Sequence, residues 1–138
     1  ISNAYAQNLV VKESPYAVDL GKDLQLCMDF AGLGNISQVG VKINYTATVY
    51  TECINQGQQK KNYDPVPGLS RTISGSKDIN FPVHNGRARG CKPLGLTIDP
   101  GACPSGNMQG VVSDVVFTNI SIEILGHTFT LDNPTSVQ

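Results

Sequence analysis

From Gln38 to Cys53 the chain (QVGVKINYTATVYTEC) alternates for sixteen residues. The odd positions are Val39, Val41, Ile43, Tyr45, Ala47, Val49, Thr51 and Cys53; the even ones are Gln38, Gly40, Lys42, Asn44, Thr46, Thr48, Tyr50 and Glu52. A strand sends successive side chains to opposite faces, so this segment has one apolar and one polar face. Its β-branched and aromatic content supports the same assignment. Sixteen residues exceed an ordinary strand, which predicts a bulge near the middle.

The remaining pattern is of the same kind. Asn8–Lys12 and Tyr16–Leu20 read as short strands separated by a Ser-Pro break, and Gly21-Lys22 as a turn. Asp23–Phe30 alternates, with Leu24, Leu26 and Met28 on one face and Gln25, Cys27 and Asp29 on the other. Two closely spaced glycines in Ala31–Asn35 end that strand. Residues 54–69 are polar, contain two prolines, and form the longest irregular stretch. Ser70–Ser74 and Lys77–Val83 read as strands, the second placed at an edge or bulge by Pro82. Asn85-Gly86 is a hairpin signal, returning through Arg87–Cys91. Pro93–Ile98 reads as another short strand and Asp99–Gly110 as a loop. Gly110–Leu125 is the second long apolar segment, with Val116, Ile120, Ile122 and Ile124 on one parity and Asn119, Ser121 and Glu123 on the other. Gly126-His127 turns into Thr128–Leu131. No window of eleven residues carries a helical repeat. The expectation is an all-β protein: an antiparallel β-sandwich of eight or nine short strands, immunoglobulin-like or Greek-key, over residues 8–131. Residues 1–7 read as a tag remnant or disordered N-terminus, and 132–138 as a frayed tail.

Composition narrows the class. With 138 residues the chain suits one domain; it is 40% hydrophobic and 15% charged, with 14 Gly and 8 Pro, as a turn-rich β protein requires. A formal net charge of −1 leaves no basic excess for nucleic acid. No apolar run approaches the ~20 residues of a membrane-spanning helix. The four cysteines (Cys27, Cys53, Cys91, Cys103) form no CxxC pair and only two histidines are present, so two disulfides are expected rather than a metal site. Disulfides imply a secreted, extracellular or periplasmic protein. Three connectivities are open at this point. Asn35-Ile-Ser, Asn44-Tyr-Thr and Asn119-Ile-Ser match the N-glycosylation pattern, which polar composition alone also generates.

Catalytic constellations are sparse. His84 and His127 flank turns and read as exposed turn residues, with a metal ligand or general base as the alternative. Ser74-Gly-Ser-Lys77 has the S-x-x-K letters without the companion motifs of the penicillin-binding group. Neither a nucleophile elbow, a Walker loop, a zinc-protease motif nor a calcium loop occurs, so no cofactor or metal is expected. A hydrolase would need two carboxylates facing a cleft; Glu52 and Asp114 are neighbours if their strands pair. Sugar-binding sandwiches stack aromatics on the ligand. With no Trp, and Tyr45 on the core face, the candidate rings are Tyr50 and Tyr63, with Lys60 and Lys61 beside them on the 54–69 loop.

Several stretches taken together resemble a group of small secreted proteins, mostly bacterial with some fungal. They are Ala31-Gly-Leu-Gly-Asn35, Ile43-Asn-Tyr-Thr46, Cys53-Ile-Asn-Gln-Gly57, Asn85-Gly86, Cys103-Pro-Ser-Gly106 and Val116-Phe-Thr-Asn-Ile-Ser-Ile122. No activity is attached to the group, so the resemblance implies a secreted β-sandwich and no catalytic residue. In that group the common cysteines sit at the positions of Cys53 and Cys103, and Cys27 and Cys91 look like a pair gained together. The resemblance therefore implies Cys53–Cys103 and Cys27–Cys91, against the local alternative Cys27–Cys53 with Cys91–Cys103. The functional expectation is a secreted, non-catalytic structural or surface-binding module with no established partner. The alternatives are a module binding a glycan or a cell-surface protein, and a hydrolase with dispersed carboxylates.

Overall fold

The structure is a computed structural model describing residues 8–55 and 66–136. Nine strands form among the described residues: β1 (Val10–Asp19), β2 (Leu24–Ala31), β3 (Gln38–Asn55), β4 (Val66–Pro67), β5 (Arg71–Pro82), β6 (Ala88–Pro93), β7 (Met108–Ile124), β8 (His127–Thr130) and β9 (Thr135–Ser136). They make two sheets packed face to face. One has the order β6-β2-β1-β9; in the other β3 is central, with β7 and then β8 on one side and β5 followed by β4 on the other. All pairings are antiparallel except the two-residue β1–β9 contact. The all-β sandwich expected from the alternation is the fold.

The apolar stripe of β3 is the floor of the core. Val39, Val41, Ile43, Ala47 and Val49 are buried, and β2 faces them with Leu24, Leu26, Met28 and Phe30. Phe30 meets Phe129 of β8, and Tyr45 meets the Phe117 ring edge-on at 5.8 Å. Removing such side chains from water is the main favourable term in assembling the two sheets.

The strand boundaries depart from the sequence reading at several places; Ile54–Asn55 and Val66–Pro67, in the expected 54–69 loop, and Met108–Gln109, in the expected 99–110 loop, are strand residues of β3, β4 and β7. β3 runs unbroken, and the expected bulge lies in its partner. The β3–β7 register slips between Asn44 and Thr46 and again between Tyr50 and Thr51, each slip leaving an extra residue on β7. Asn119 takes the first with φ 51°, a left-handed conformation that asparagine tolerates. Each slip reverses the side-chain parity. Val115 and Phe117 are therefore buried and Val116 is 41% exposed, while Ile120, Ile122 and Ile124 remain inside. Val116, expected on the face of the isoleucines, therefore lies on the opposite one.

In β1 the Ser14-Pro15 step is no break: the strand continues as one element, with register shifts between Val11 and Glu13 and between Glu13 and Tyr16. A residue without an N–H fits where ladder bonds are interrupted. The two strands expected around Gly75 are likewise the single β5, since Gly75 lies opposite Tyr45 and a Cβ there would come within 2.5 Å of Tyr45 Oη. Pro93–Ile98 is not a strand beyond Pro93. The Asp23 carboxylate accepts hydrogen bonds from the N–H groups of Gly95 (3.0 Å) and Leu96 (3.1 Å), diverting them from any ladder. Thr135–Ser136, in the tail expected to fray, pair with Val18–Asp19.

Both disulfides are those the resemblance implied: Cys27–Cys91 and Cys53–Cys103. Cys27 and Cys91 are directly opposite on β2 and β6, on the outer face of that sheet. Cys53–Cys103 fastens the end of β3 to the loop before β7. The same loop is held by Thr51, whose Oγ1 accepts a hydrogen bond from the Gly101 N–H at 2.7 Å, and by Leu69, whose N–H donates to the Ala102 carbonyl. Thr51 is the buried polar side chain among the described residues. Thr51→Val keeps its shape but leaves the Gly101 N–H unpaired, at an expected cost of about 1–3 kcal/mol. Denaturant unfolding measures this, with Thr48→Val, on the exposed face, as a control expected to stay within about 0.5 kcal/mol.

Candidate functional site

The sandwich has two ends. At one, the 32–37 loop, the 83–87 hairpin and the 125–126 turn lie together: the Leu33 N–H donates to the Gly86 carbonyl and the Val83 N–H to the Ser37 carbonyl. At the other lie the 20–23 turn, the chain leaving β3, the 94–107 loop and β9.

Tyr50 sits towards this second end. As an even residue of β3 it points away from the core and is 45% exposed. Its strand neighbour is Asp114 of β7, and Ser113 Oγ donates to the Tyr50 carbonyl at 3.1 Å. Tyr50, Glu52, Pro67, Gly68 and Ser113 line a shallow cavity of about 270 Å³. A second cavity of about 290 Å³ shares Pro67 and Gly68 and adds Leu69, Cys103 and Pro104. Tyr50, at the first cavity, and Leu69, at the second, are exposed large apolar residues, Leu69 at 68%; Val66 is exposed too but stands opposite Cys53, on the other strand parity from Tyr50. Val116 is presented because of the β7 bulges; it stands opposite Thr48, two residues from Tyr50 on the same face. Tyr63, Lys60 and Lys61, the other proposed contacts, lie outside the described residues.

The strands of Glu52 and Asp114 do pair, and the two carboxylates flank Tyr50 without facing each other directly. Glu52 is opposite Val111, and Asp114 is opposite Tyr50, so these two are not a cross-strand pair. Asp114 instead shares a cavity of about 590 Å³ with Asp19, whose Oδ1 accepts from the Gly21 N–H at 2.7 Å. Leu20, Val116, Asn133 and Pro134 complete much of its wall. Asp19 was missed because only the β1–β9 pairing brings the tail over it. For Val116 and Asp114 a signal did exist. Ser113-Asp114 and Thr118-Asn119 are adjacent polar pairs within an alternating strand, as a bulge produces.

The S-x-x-K reading fails on geometry, since Ser74 and Lys77 are three residues apart on β5 and point to opposite faces. His84 is exposed in the hairpin, as expected, its N–H and carbonyl exchanging hydrogen bonds with Arg87. His127 begins β8 and stacks on Phe129. Among the described residues no group of three His, Cys, Asp or Glu could hold a metal, and no helix is long and apolar enough to cross a membrane. No protein-family model, curated protein or solved structure matches the chain.

The strongest charge organisation is on the outer face of the β6-β2-β1 sheet. Arg87 donates from Nε and Nη2 to both Asp29 oxygens, at 2.9 and 2.8 Å. That hydrogen-bonded fork, with the charges of Arg87, Arg89 and Lys12, holds the Asp29 carboxyl below the ordinary carboxylate range. A depressed carboxylate contributes stability above its unfolded value of ~4 that is lost as pH falls through the folded value. The stability difference between wild type and Asp29→Asn is therefore expected to be constant near neutrality and to shrink below about pH 4. Urea unfolding across pH 2–7 checks this.

Proposed function

We propose that this is a secreted, non-catalytic, immunoglobulin-like β-sandwich module that works as a surface-binding domain through the end bearing Tyr50. The carrying observation is exposed Tyr50 with Val116 on the same face of the β3–β7 pair, beside shallow cavities that Tyr50 and Leu69 line. Exposed apolar side chains grouped in this way characterise binding surfaces more than bare solvent contact. The immunoglobulin-like reading draws on strand order: β1-β2-β6 against β5-β3-β7-β8 corresponds to A-B-E against C′-C-F-G. Secretion draws on two disulfides closing separations of 64 and 50 residues.

A carbohydrate is the specific ligand class this surface suits. Tyr50 offers an aromatic face on a rigid central strand, flanked by Glu52 and Asp114, whose carboxylates can accept hydrogen bonds from sugar hydroxyls. Glycan-array binding by the intact chain is expected to weaken about tenfold or more in Tyr50→Ala, the scale of one lost stacking contact. Retained array binding in that variant would move the site elsewhere, and a blank array would remove the carbohydrate.

A second reading, hydrolysis by paired carboxylates, is favoured by Asp19 and Asp114 lining one cavity. It requires turnover of a glycoside substrate that Asp114→Asn abolishes while the fold, followed by circular dichroism, stays intact. No turnover across a glycoside panel removes it.

A further inference from the structure

The opposite end of the molecule carries a different chemistry. Pro82, His84, Arg87 and Arg89 line a cavity of about 280 Å³ where β5 turns into β6. No carboxylate is among these lining residues, although Asp29 and, on β1, Glu13 stand nearby on the same sheet. Two arginines and a histidine thus line one cavity in a chain whose net charge is −1.

The two arginines have complementary parts. Arg87 is fixed in place by its fork onto Asp29. That fork uses Nε and one N–H of Nη2, leaving the end-on edge of the guanidinium, Nη1 with the second Nη2 hydrogen, for another acceptor. Arg89 is exposed and forms no ion pair among the described residues. It lies opposite Asp29 in the β2–β6 register, so it projects on the same face as the Arg87–Asp29 pair. The hairpin holding them is itself rigid. Its two-residue turn is closed by reciprocal His84–Arg87 backbone hydrogen bonds of 2.9 and 3.0 Å, and Asn85 and Gly86 both take the positive φ such a turn needs. Arginine donors held in advance bind an anion with less ordering cost than free side chains.

We infer that this cavity is an oxyanion site, taking a sulfate or phosphate monoester group between Arg87, Arg89 and His84. A tetrahedral group suits donors that approach from three residues rather than from one plane. The site lies about 40 Å from Tyr50, allowing ~3.3 Å per residue along β3 from its Gln38 end, beside Pro82, to Tyr50. It is thus independent of the binding surface proposed above.

The test is an NMR titration of the intact chain with sodium sulfate and sodium phosphate, using sodium chloride at matched ionic strength as reference. Saturable shifts confined to His84, Arg87, Arg89 and the intervening turn are expected with the oxyanions and not with chloride. Arg89→Ala, a change at an exposed position, is expected to weaken the binding about tenfold, while Tyr50→Ala leaves it unchanged. Linear, unsaturable shifts, or saturable shifts that persist in Arg89→Ala, would overturn the assignment. A sulfated oligosaccharide and a phosphorylated sugar, each set against its uncharged parent, then distinguish the two sources of the group. If neither binds better than its parent, the site does not read an esterified oxyanion.

Discussion

The molecule depends on the two-faced character of β3. Its odd residues supply a continuous apolar stripe to the core, and its backbone pairs along its length with β7 on one side and β5 or β4 on the other. A strand used in this way cannot shift by one residue, because Val39, Val41, Ile43, Ala47 and Val49 would all pass into solvent together. Irregularity is instead absorbed by neighbours. β7 takes two extra residues, β1 takes its own at Lys12 and at the Ser14-Pro15 step, and β3 remains straight between them.

That division of labour shapes the surface. Each slip in β7 turns part of its sequence around, so Val116 reaches solvent near Tyr50 while Asp114 faces both the ring and the cavity of Asp19. The end of β3 is then clamped by Cys53–Cys103, by the Thr51–Gly101 hydrogen bond and by close packing at Gly68, where a Cβ would lie 2.9 Å from Cys53 Sγ. An exposed ring on a clamped strand is a pre-ordered contact, which lowers the entropy lost on binding.

The two ends differ in character. The face of Tyr50 presents Val116, Glu52 and Asp114, whereas the cavity at the 83–87 hairpin is lined by His84, Arg87 and Arg89, with Asp29 orienting one guanidinium. The sandwich keeps these surfaces apart by the length of its longest strands. Neither surface uses the Cys27–Cys91 bond directly, but that bond ties β6, which carries Arg89, to the central strand of its sheet.

Period-two alternation and turn chemistry were sufficient, in the sequence alone, to establish the all-β class, the long strand from Gln38 to Cys53, the Asn85-Gly86 hairpin and an even set of cysteines suited to two bonds. These are legible because a side chain's face follows from its neighbours in the chain. Tertiary structure decided what depends on residues far away: which strand bulges, the conversion of 94–96 to a loop by the Asp23 carboxylate, the tail pairing over Asp19, and the meeting of Arg87 with Asp29. A register slip is a compromise between two strands, and an ion pair across 58 residues depends on the fold that brings its partners together. Such features have no local periodicity to reveal them, although the adjacent polar pairs in β7 mark where the alternation had to give way.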